Sequence, residues 1–258
     1  MNMTRCAFVV TILLSLLARA SLAQTNHRNF DELLKRHVTS PFGLVDYGAL
    51  RMNHGMLDAY FNEVAQADLK SMEDEDRLAP LINLYNAAMI KVVLEHFPIG
   101  SIKDIPPNEV WQDNRWSIGA KTFTLDQIRD DLIMKSNDPR ALFAIVDAAR
   151  GSGPLRTEAY NAESLNAQLN EQMRWTHQNG SNYVSYDPET KTLKLSEIHK
   201  RFKPIFVKSA GSLEAFVAKY NPEVKAALDA GVKMKIEFTE FDWRINTTGC
   251  SSLELIES

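Results

Sequence analysis

The chain has 258 residues, of which 45% are hydrophobic and 24% are charged, so it is long enough for one large globular domain or two small ones. With 33 acidic residues against 29 basic ones, its formal net charge is −4. A mildly acidic surface argues against nucleic acids and anionic membranes as partners.

The N-terminus has the pattern of a cleavable signal peptide over residues 1–23. Arg5 is followed by an apolar run from Cys6 to Leu17, and Ser21-Leu22-Ala23 supplies small residues at the two positions that a signal peptidase reads. A bilayer crossing needs roughly 20 apolar residues, so this run is short for an N-terminal membrane anchor, which is the alternative interpretation. We therefore expect a periplasmic or secreted protein with no stable membrane insertion.

Residues 24–258 are expected to form a single globular domain that its hydrophobic core holds together. The chain has two cysteines, and removal of the signal peptide would leave only Cys250. One cysteine cannot form an internal disulfide, and there is no cysteine pair for zinc. Every later window of 19 residues contains charges, so no transmembrane helix is predicted in the mature chain.

Apolar residues at helical spacing predict three helices in the first part of this domain, over residues 30–38, 57–64 and 74–97. Pro80 falls in the first turn of the third helix, where its missing N–H does no harm, and Pro98 ends that helix. A short hairpin is predicted from residues 116–118 and 122–124. Thr124 then caps a helix that runs through Met134.

The second part of the domain mixes short strands with helices. Leu142–Val146 is a continuous apolar run of strand length, which predicts a fully buried strand. A polar helix from about Glu158 to His177, a hairpin of residues 182–186 and 192–195, helices over 196–206, 213–220 and 222–230, and a strand over 233–238 follow. The pattern predicts an α+β fold: a helix-rich single domain with a small mixed or antiparallel sheet and short hairpins.

Several short motifs occur in an order that is typical of one family. They are Val45-Asp46-Tyr47, Ile82-Asn83-Leu84-Tyr85-Asn86-Ala87 inside a helix, Phe97-Pro98-Ile99-Gly100, Thr124-Leu125-Asp126-Gln127-Ile128, Asp138-Pro139-Arg140, Pro154-Leu155-Arg156 and Phe241-Asp242-Trp243-Arg244-Ile245-Asn246. In this order they resemble the family catalogued as domain of unknown function 547, and the resemblance runs from about Phe30 to Asn246.

The resemblance implies a thiol centre that this chain has lost. Proteins of the family typically place a His before the Phe of the apolar run, a Cys at the end of that run, and a second Cys before Pro-Leu. A cysteine beside an imidazole is the pattern of a thiol nucleophile and its base. Here the three positions hold Leu142, Asp147 and Ser152, so the implied thiol chemistry cannot run.

Three polar residues lie on the otherwise apolar third helix: Asn83, Tyr85 and Asn86. Asn83 and Asn86 are three residues apart and share a helix face. They are candidate ligand-binding residues that could orient an amide or a carboxylate. The alternative is that they satisfy the hydrogen bonds of a neighbouring loop, because buried polar groups need partners.

Asp147 and Ser152 are the candidate catalytic residues. A carboxylate at the end of a buried segment can act as a general base if burial raises its pKa, but it can equally pair with Arg140 or Arg150. These two arginines are therefore included among the candidate ligand-binding residues. Ser152 lies in Gly151-Ser152-Gly153-Pro154, which lacks the strand-turn-helix context of a hydrolase nucleophile and reads more readily as a turn.

The histidines give no support for a metal site. His54, His96, His177 and His199 show no i,i+4 pairing, and for His177 and His199 we expect surface or capping roles. No cofactor is predicted. Asn179-Gly180-Ser181 and Asn246-Thr247-Thr248 fit the pattern for N-glycosylation.

The sequence favours an exported, non-catalytic member of this family that binds an unknown small molecule or peptide. The triple replacement at Leu142, Asp147 and Ser152 carries this hypothesis. The alternative is a hydrolase or transferase that uses Asp147, and possibly Ser152, in place of the Cys/His pair.

Overall fold

The fold combines ten α-helices with three small sheets, in a computed structural model that describes residues 27–67, 76–179 and 182–249. Signal-peptide residues 1–23 and Cys250 lie outside the described residues. The described helices are α1 (Arg28–His37), α2 (Tyr47–Met52), α3 (Gly55–Ala65), α4 (Leu78–His96), α5 (Leu125–Gln127), α6 (Leu165–Gln178), α7 (Glu197–Arg201), α8 (Lys203–Ala210), α9 (Leu213–Ala218) and α10 (Pro222–Asp229).

The strands are short and form two hairpins and one mixed sheet. They are β1 (Val38–Thr39), β2 (Leu44–Val45), β3 (Trp116–Ile118), β4 (Lys121–Phe123), β5 (Val184–Asp187), β6 (Thr192–Leu195) and β7 (Lys235–Phe238). β1 pairs with β2, β3 with β4 and β5 with β6, all antiparallel, whereas β7 adds to β6 in parallel. The predicted α+β class, the hairpins and the small mixed sheet are confirmed.

Helix α4 is the centre of the larger hydrophobic core. Sixteen of its residues are buried, because apolar side chains cover nearly its whole circumference. By length and composition this helix could also cross a membrane. However, 89% of its apolar 18-residue stretch is buried inside the protein, as in the core helix of a globular domain. A second apolar cluster packs the mixed sheet against α6, α8, α9 and α10.

The segment Arg244–Thr247 ties distant parts of the chain together. The N–H of Val45 donates to the carbonyl of Asn246 at 2.7 Å, and the N–H of Asn246 donates to the carbonyl of Ala148 at 3.0 Å. The N–H of Ile245 also donates to the carbonyl of Gly100. These bonds fix the loop after Asp147 against the rest of the core.

The predicted buried strand Leu142–Val146 is wrong. Residues Pro139–Phe143 form a 3-10 helix, because Pro139 suits a first helical position and the Asp138 carboxylate accepts the N–H of Arg140. The rest of the run is an irregular turn. A short apolar run shows burial but does not separate a strand from a buried helical turn.

The helix predicted from Glu158 starts later than expected. A 3-10 turn over Ala162–Ser164, capped by Asn161, precedes α6. Both main-chain groups of Tyr160 bind the Asn83 amide, at 2.8 Å each, so Tyr160 cannot take part in helical hydrogen bonds. Tertiary contact has overridden local helical propensity.

His177 and His199, expected at the surface or at helix caps, are both fully buried and form a histidine pair in the second cluster. Their Nε2 atoms are 3.3 Å apart, so one of the two rings carries the shared hydrogen. Phe143, Phe206 and Phe216 surround them. Burial lowers the pKa of His177 to about 3 and lowers the pKa of His199 well below 6.5, the latter also because of His177.

We predict that the histidine pair makes stability pH-dependent. Its folded-state pKa values are depressed, so its contribution is fully present above pH about 6.5 and is lost as the pH falls. The free energy of unfolding should fall by about 1.4 kcal/mol per pH unit for each histidine that gains a proton on unfolding. Urea denaturation between pH 7.5 and 4.5 measures this slope.

The matched control is His54→Gln, which alters an exposed histidine. It should keep the wild-type slope, whereas His177→Gln/His199→Gln should flatten it. If the double variant does not fold, an NMR titration of the wild-type imidazoles gives the answer. Two buried rings that titrate near pH 6.5 in the folded protein would contradict the prediction.

Candidate functional site

Leu142, Asp147 and Ser152, the three positions that the family resemblance singled out, meet around one small cavity, here called the Asp147 pocket. Its volume is about 40 Å³, far below the roughly 300–1,000 Å³ of typical ligand pockets. It is lined by Leu142, Asp147 and Ser152 from the turn, together with Arg129, Ile145, Glu197, Ile198, Arg201, Phe202, Phe241 and Trp243. The positions that the family resemblance brought together along the sequence are therefore neighbours in space.

The Asp147 carboxylate is held by Tyr85. The Tyr85 hydroxyl donates to Asp147 Oδ1 at 2.7 Å. Burial raises the pKa of the Asp147 carboxyl above its usual 3.8, and the Tyr85 hydrogen bond and the charges of Arg129 and Arg201 partly oppose this rise. A carboxyl with a raised pKa is suited to hold a proton, and this is the feature of the pocket that would serve acid–base catalysis.

Of the two interpretations of Asp147, pairing with Arg140 or Arg150 is not seen among the described contacts. Arg140 binds Asp138 through a guanidinium–carboxylate contact of 2.7 Å and also donates to Asn166 and Asn170. Arg150 is exposed, and its Nε donates to the carbonyl of Ile245. The sequence interpretation considered only nearby arginines, whereas the cations beside Asp147 come from a π-helical turn, Ile128–Ile133, and from α7.

Ser152 is buried and plays a structural part in the turn. Its hydroxyl oxygen accepts the N–H of Asp147 at 2.9 Å, and its carbonyl accepts the Tyr183 hydroxyl at 2.6 Å. Among the described residues, no hydrogen bond joins Ser152 Oγ to an imidazole or a carboxylate. An activated serine needs such a base, so this geometry does not favour Ser152 as a nucleophile.

The turn between Asp147 and Ser152 carries backbone strain. Ala148 has a left-handed φ of 52°, which costs a residue with a Cβ about 1 kcal/mol or more. The hydrogen bond from Asn246 and the bridge between Ala149 and Ile245 hold it there. This reversal is what brings Ser152 back onto the main chain of Asp147.

Asn83 and Asn86 are both buried, and each has its side-chain amide engaged by main chain. Asn86 donates to the carbonyl of Ala144 and accepts the N–H of Val146, at 3.0 and 2.8 Å. Asn83 binds Tyr160 in the same two-sided way. These contacts match the loop-satisfying alternative, and a ligand-binding role for Asn83, Tyr85 and Asn86 stays a prediction.

A much larger concavity, the apolar cleft, was not foreseen from the sequence. Its volume is about 1050 Å³, and ligand pockets typically have volumes of roughly 300–1,000 Å³. Its walls come from the start of α4, the β3–β4 hairpin, the turns over residues 131–140 and the start of α6. The lining residues include Arg77, Leu78, Leu81, Lys121, Phe123, Asp131, Leu132, Lys135, Asp138, Arg140, Ala162, Leu165, Asn166 and Leu169.

The sequence carried no separate signal for this cleft. Leu78, Leu81, Leu165 and Leu169 follow helical spacing, which is equally typical of core residues. Only Arg140, of the seven candidate residues, lines the cleft. Its guanidinium already binds Asp138, Asn166 and Asn170, so it builds the wall of the cleft.

Other sequence features are also placed by the structure. Within the described ranges no group of three or more His, Cys, Asp or Glu side chains could hold a metal ion. The sequon asparagine Asn246 is buried, where its amide binds Tyr47 and the carbonyl of Gly43, so the folded chain does not offer it for glycosylation. Asn179 is exposed.

The family described as "Protein of unknown function, DUF547" matches residues 69–175 of this chain. The chain therefore resembles that family and carries an uncharacterised domain of its type. No curated protein and no solved structure matches the chain. All seven candidate residues lie inside the matched stretch, and so does every described residue of the apolar cleft except Ala67.

We predict that Asn86→Ala lowers the free energy of unfolding by about 2–4 kcal/mol. It leaves the carbonyl of Ala144 and the N–H of Val146 buried without a partner, at about 1–3 kcal/mol for each group. Urea denaturation measures the loss. Asn62→Ala, on the exposed side of α3, is the matched control and should change stability by less than about 0.5 kcal/mol. Equal small effects would show that Asn86 does not hold the turn.

We also predict that Asp147→Asn is at least as stable as the wild type at neutral pH. Because the folded-state pKa of Asp147 is raised, the ionised carboxylate weakens folding once the pH rises through that pKa. Asparagine keeps an oxygen for the Tyr85 hydroxyl and carries no charge.

Denaturation curves of both proteins from pH 4 upward test this. The stability of the wild type should decline relative to Asp147→Asn as the pH rises, by about 1.4 kcal/mol per unit within the titration window. Glu189→Gln is the control for the overall effect of charge, because it removes the same negative charge from an exposed carboxyl. A variant that loses stability most at neutral pH would overturn the prediction.

Proposed function

We propose that this chain is an exported, non-catalytic binding protein related to the DUF547 proteins, and that its small-molecule or peptide ligand occupies the apolar cleft. The observation that carries the proposal is the contrast between the two cavities. The Asp147 pocket has a volume of about 40 Å³, and its carboxylate and its serine hydroxyl are already hydrogen-bonded to Tyr85 and to main chain, whereas the cleft is ligand-sized.

The state of the former thiol position supports the non-catalytic part of the proposal. Asp147 offers a carboxylate that Tyr85 holds, and Ser152 Oγ accepts a hydrogen bond from main chain. A nucleophile and its base need to lie within hydrogen-bond reach of each other and of a substrate. A cavity of about 40 Å³ is far smaller than the roughly 300–1,000 Å³ of typical ligand pockets.

Export rests on the signal-peptide pattern of residues 1–23. Expression of the full chain with its leader in a Gram-negative host tests it by N-terminal sequencing of the released protein. A sequence that starts at Gln24 supports export with cleavage. An uncleaved chain that stays with the membrane would support the anchor alternative instead.

The second candidate is a hydrolase or transferase that uses Asp147. The raised pKa of this carboxyl and the neighbouring charges of Arg129 and Arg201 favour it, since acid–base groups at active sites commonly show such shifts. A substrate would then have to open the pocket between the turn and α7.

A ligand screen separates the two candidates. We predict that a thermal-shift screen against metabolites and peptides gives at least one ligand whose stabilising effect is lost in Ala162→Trp and kept in Asp147→Asn. Ala162 is exposed at the cleft, so a tryptophan there fills space without disturbing the core. Ligands stabilise only the state that binds them.

The opposite result identifies the enzyme. A ligand that is chemically converted, with turnover lost in Asp147→Asn at unchanged stability, would overturn the non-catalytic proposal. A ligand that still binds Ala162→Trp as tightly as the wild type would show that the apolar cleft is not the binding site.

A further inference from the structure

We propose that the apolar cleft binds a small amphiphilic monoanion, with its acidic head group between Lys121 and Lys135 and its apolar body against the leucines of the floor. This inference rests on the proposed function and names the ligand class for the same site. It follows from the apolar side chains of the floor, the charges at the rim, and the hydrogen bonds that already occupy the guanidinium of Arg140.

The floor of the cleft is apolar over its full width. Leu78 and Leu81 come from α4, Leu132 from the π-helical turn, and Leu165 and Leu169 from α6. Burial of apolar ligand surface against such side chains contributes roughly 25 cal/mol per Å² before the costs of association. A ligand without an apolar body would leave the leucines of this floor in contact with water.

The rim carries two ammonium groups that form no salt bridge with a described residue. Lys121 at the β3–β4 hairpin and Lys135 after the π-helical turn are exposed, and neither has a salt bridge in the part of the chain that the structure describes. The two ammonium groups are therefore available for an acidic head group.

Asp131 sets an upper limit on the charge of the ligand. Its exposed carboxylate lies in the same rim as Lys121 and Lys135, so the local excess is about one positive charge. Asp138 and Arg140 neutralise each other through a bidentate contact, and Arg77, which also lines the cleft, already has an interaction partner. A single negative charge complements this rim, whereas a second one would face Asp131.

Arg140, a third cation of the rim, does not compete with the two lysines for an acidic head group. Arg140 already donates to Asp138, Asn166 and Asn170, which leaves its guanidinium engaged with acceptors of the protein itself. A neutral apolar ligand would use the floor but neither lysine, and a cation would meet the like charges of Lys121 and Lys135. The monoanion alone uses both the floor and the rim.

Three probes with the same ten-carbon chain test the inference: decanoate, decanol and decyltrimethylammonium, each below its micelle concentration. Binding to the purified protein is measured by isothermal titration calorimetry at pH 7.5, in low and in high salt. We expect decanoate to bind most tightly. Its affinity should fall as salt is raised, because the head group contacts exposed charges, while that of decanol should not.

The variants locate the head group. Lys121→Gln/Lys135→Gln should weaken decanoate binding about threefold to tenfold and leave decanol binding unchanged, as for contacts between exposed charges. Lys203→Gln/Lys233→Gln is the matched control, with the same change in net charge at lysines that do not line the cleft. It should bind decanoate like the wild type. Ala162→Trp should abolish the binding of both probes.

The outcomes separate this inference from the proposed function. If decanoate and decanol bind equally and the lysine substitutions change nothing, the charged head group is overturned, while binding in the cleft survives. If decanoate does not bind and only a peptide from the screen does, the ligand class is wrong and the binding function stands. If Ala162→Trp weakens no probe, both proposals fall.

Discussion

Polar side chains on the buried helix α4 hold in place the two irregular segments on which both cavities depend. Asn86 supplies the hydrogen-bond partners that a neighbouring strand would otherwise give to Ala144 and Val146, and Asn83 does the same for Tyr160. Buried main-chain groups without partners cost about 1–3 kcal/mol each, so these amides make irregular chain possible inside the core. The segment that Asn86 holds leads into Asp147 and its pocket, and the segment that Asn83 holds leads into the start of α6.

Tyr85 extends this arrangement from the main chain to the site. It lies on the same helix and donates to the carboxylate of Asp147, so the helix that shapes the turn also fixes the side chain of Asp147. A carboxylate with a raised pKa is a burden on stability that a purely structural residue could avoid, which is why Asp147 is the residue that most sharply separates the two candidate functions.

Much of the fold could be predicted because its elements follow local rules. The hairpin of residues 182–195 and the capped turn at Thr124 were found from alternation and capping residues, and the capping box at Thr124 is present. Leu142–Val146 could not be assigned in this way. Its hydrophobicity reports burial, and the irregular turn of Ala144–Val146 depends on Asn86, about 60 residues earlier in the chain.

The candidate site shows the same division between local and distant information. The clustering of Leu142, Asp147 and Ser152 could be anticipated, since they lie within one short segment of a recognisable motif series. The pairing of Asp147 with Tyr85, Arg129 and Arg201 could not, because these residues are 62 positions or fewer away but on three separate elements. The histidine pair was missed for the same reason, since 22 residues separate its members.

One turn connects the two cavities. Arg140 faces the apolar cleft and Leu142 faces the Asp147 pocket, although only one residue separates them, because successive residues of the 3-10 helix Pro139–Phe143 point to different sides. The cleft wall depends on Asp138, Asn166 and Asn170, which bind Arg140, and none of these contacts involves Asp147. A change at Asp147 on one side of this turn therefore leaves the contacts that build the cleft wall intact, so the proposed binding site and the alternative catalytic site can be tested separately.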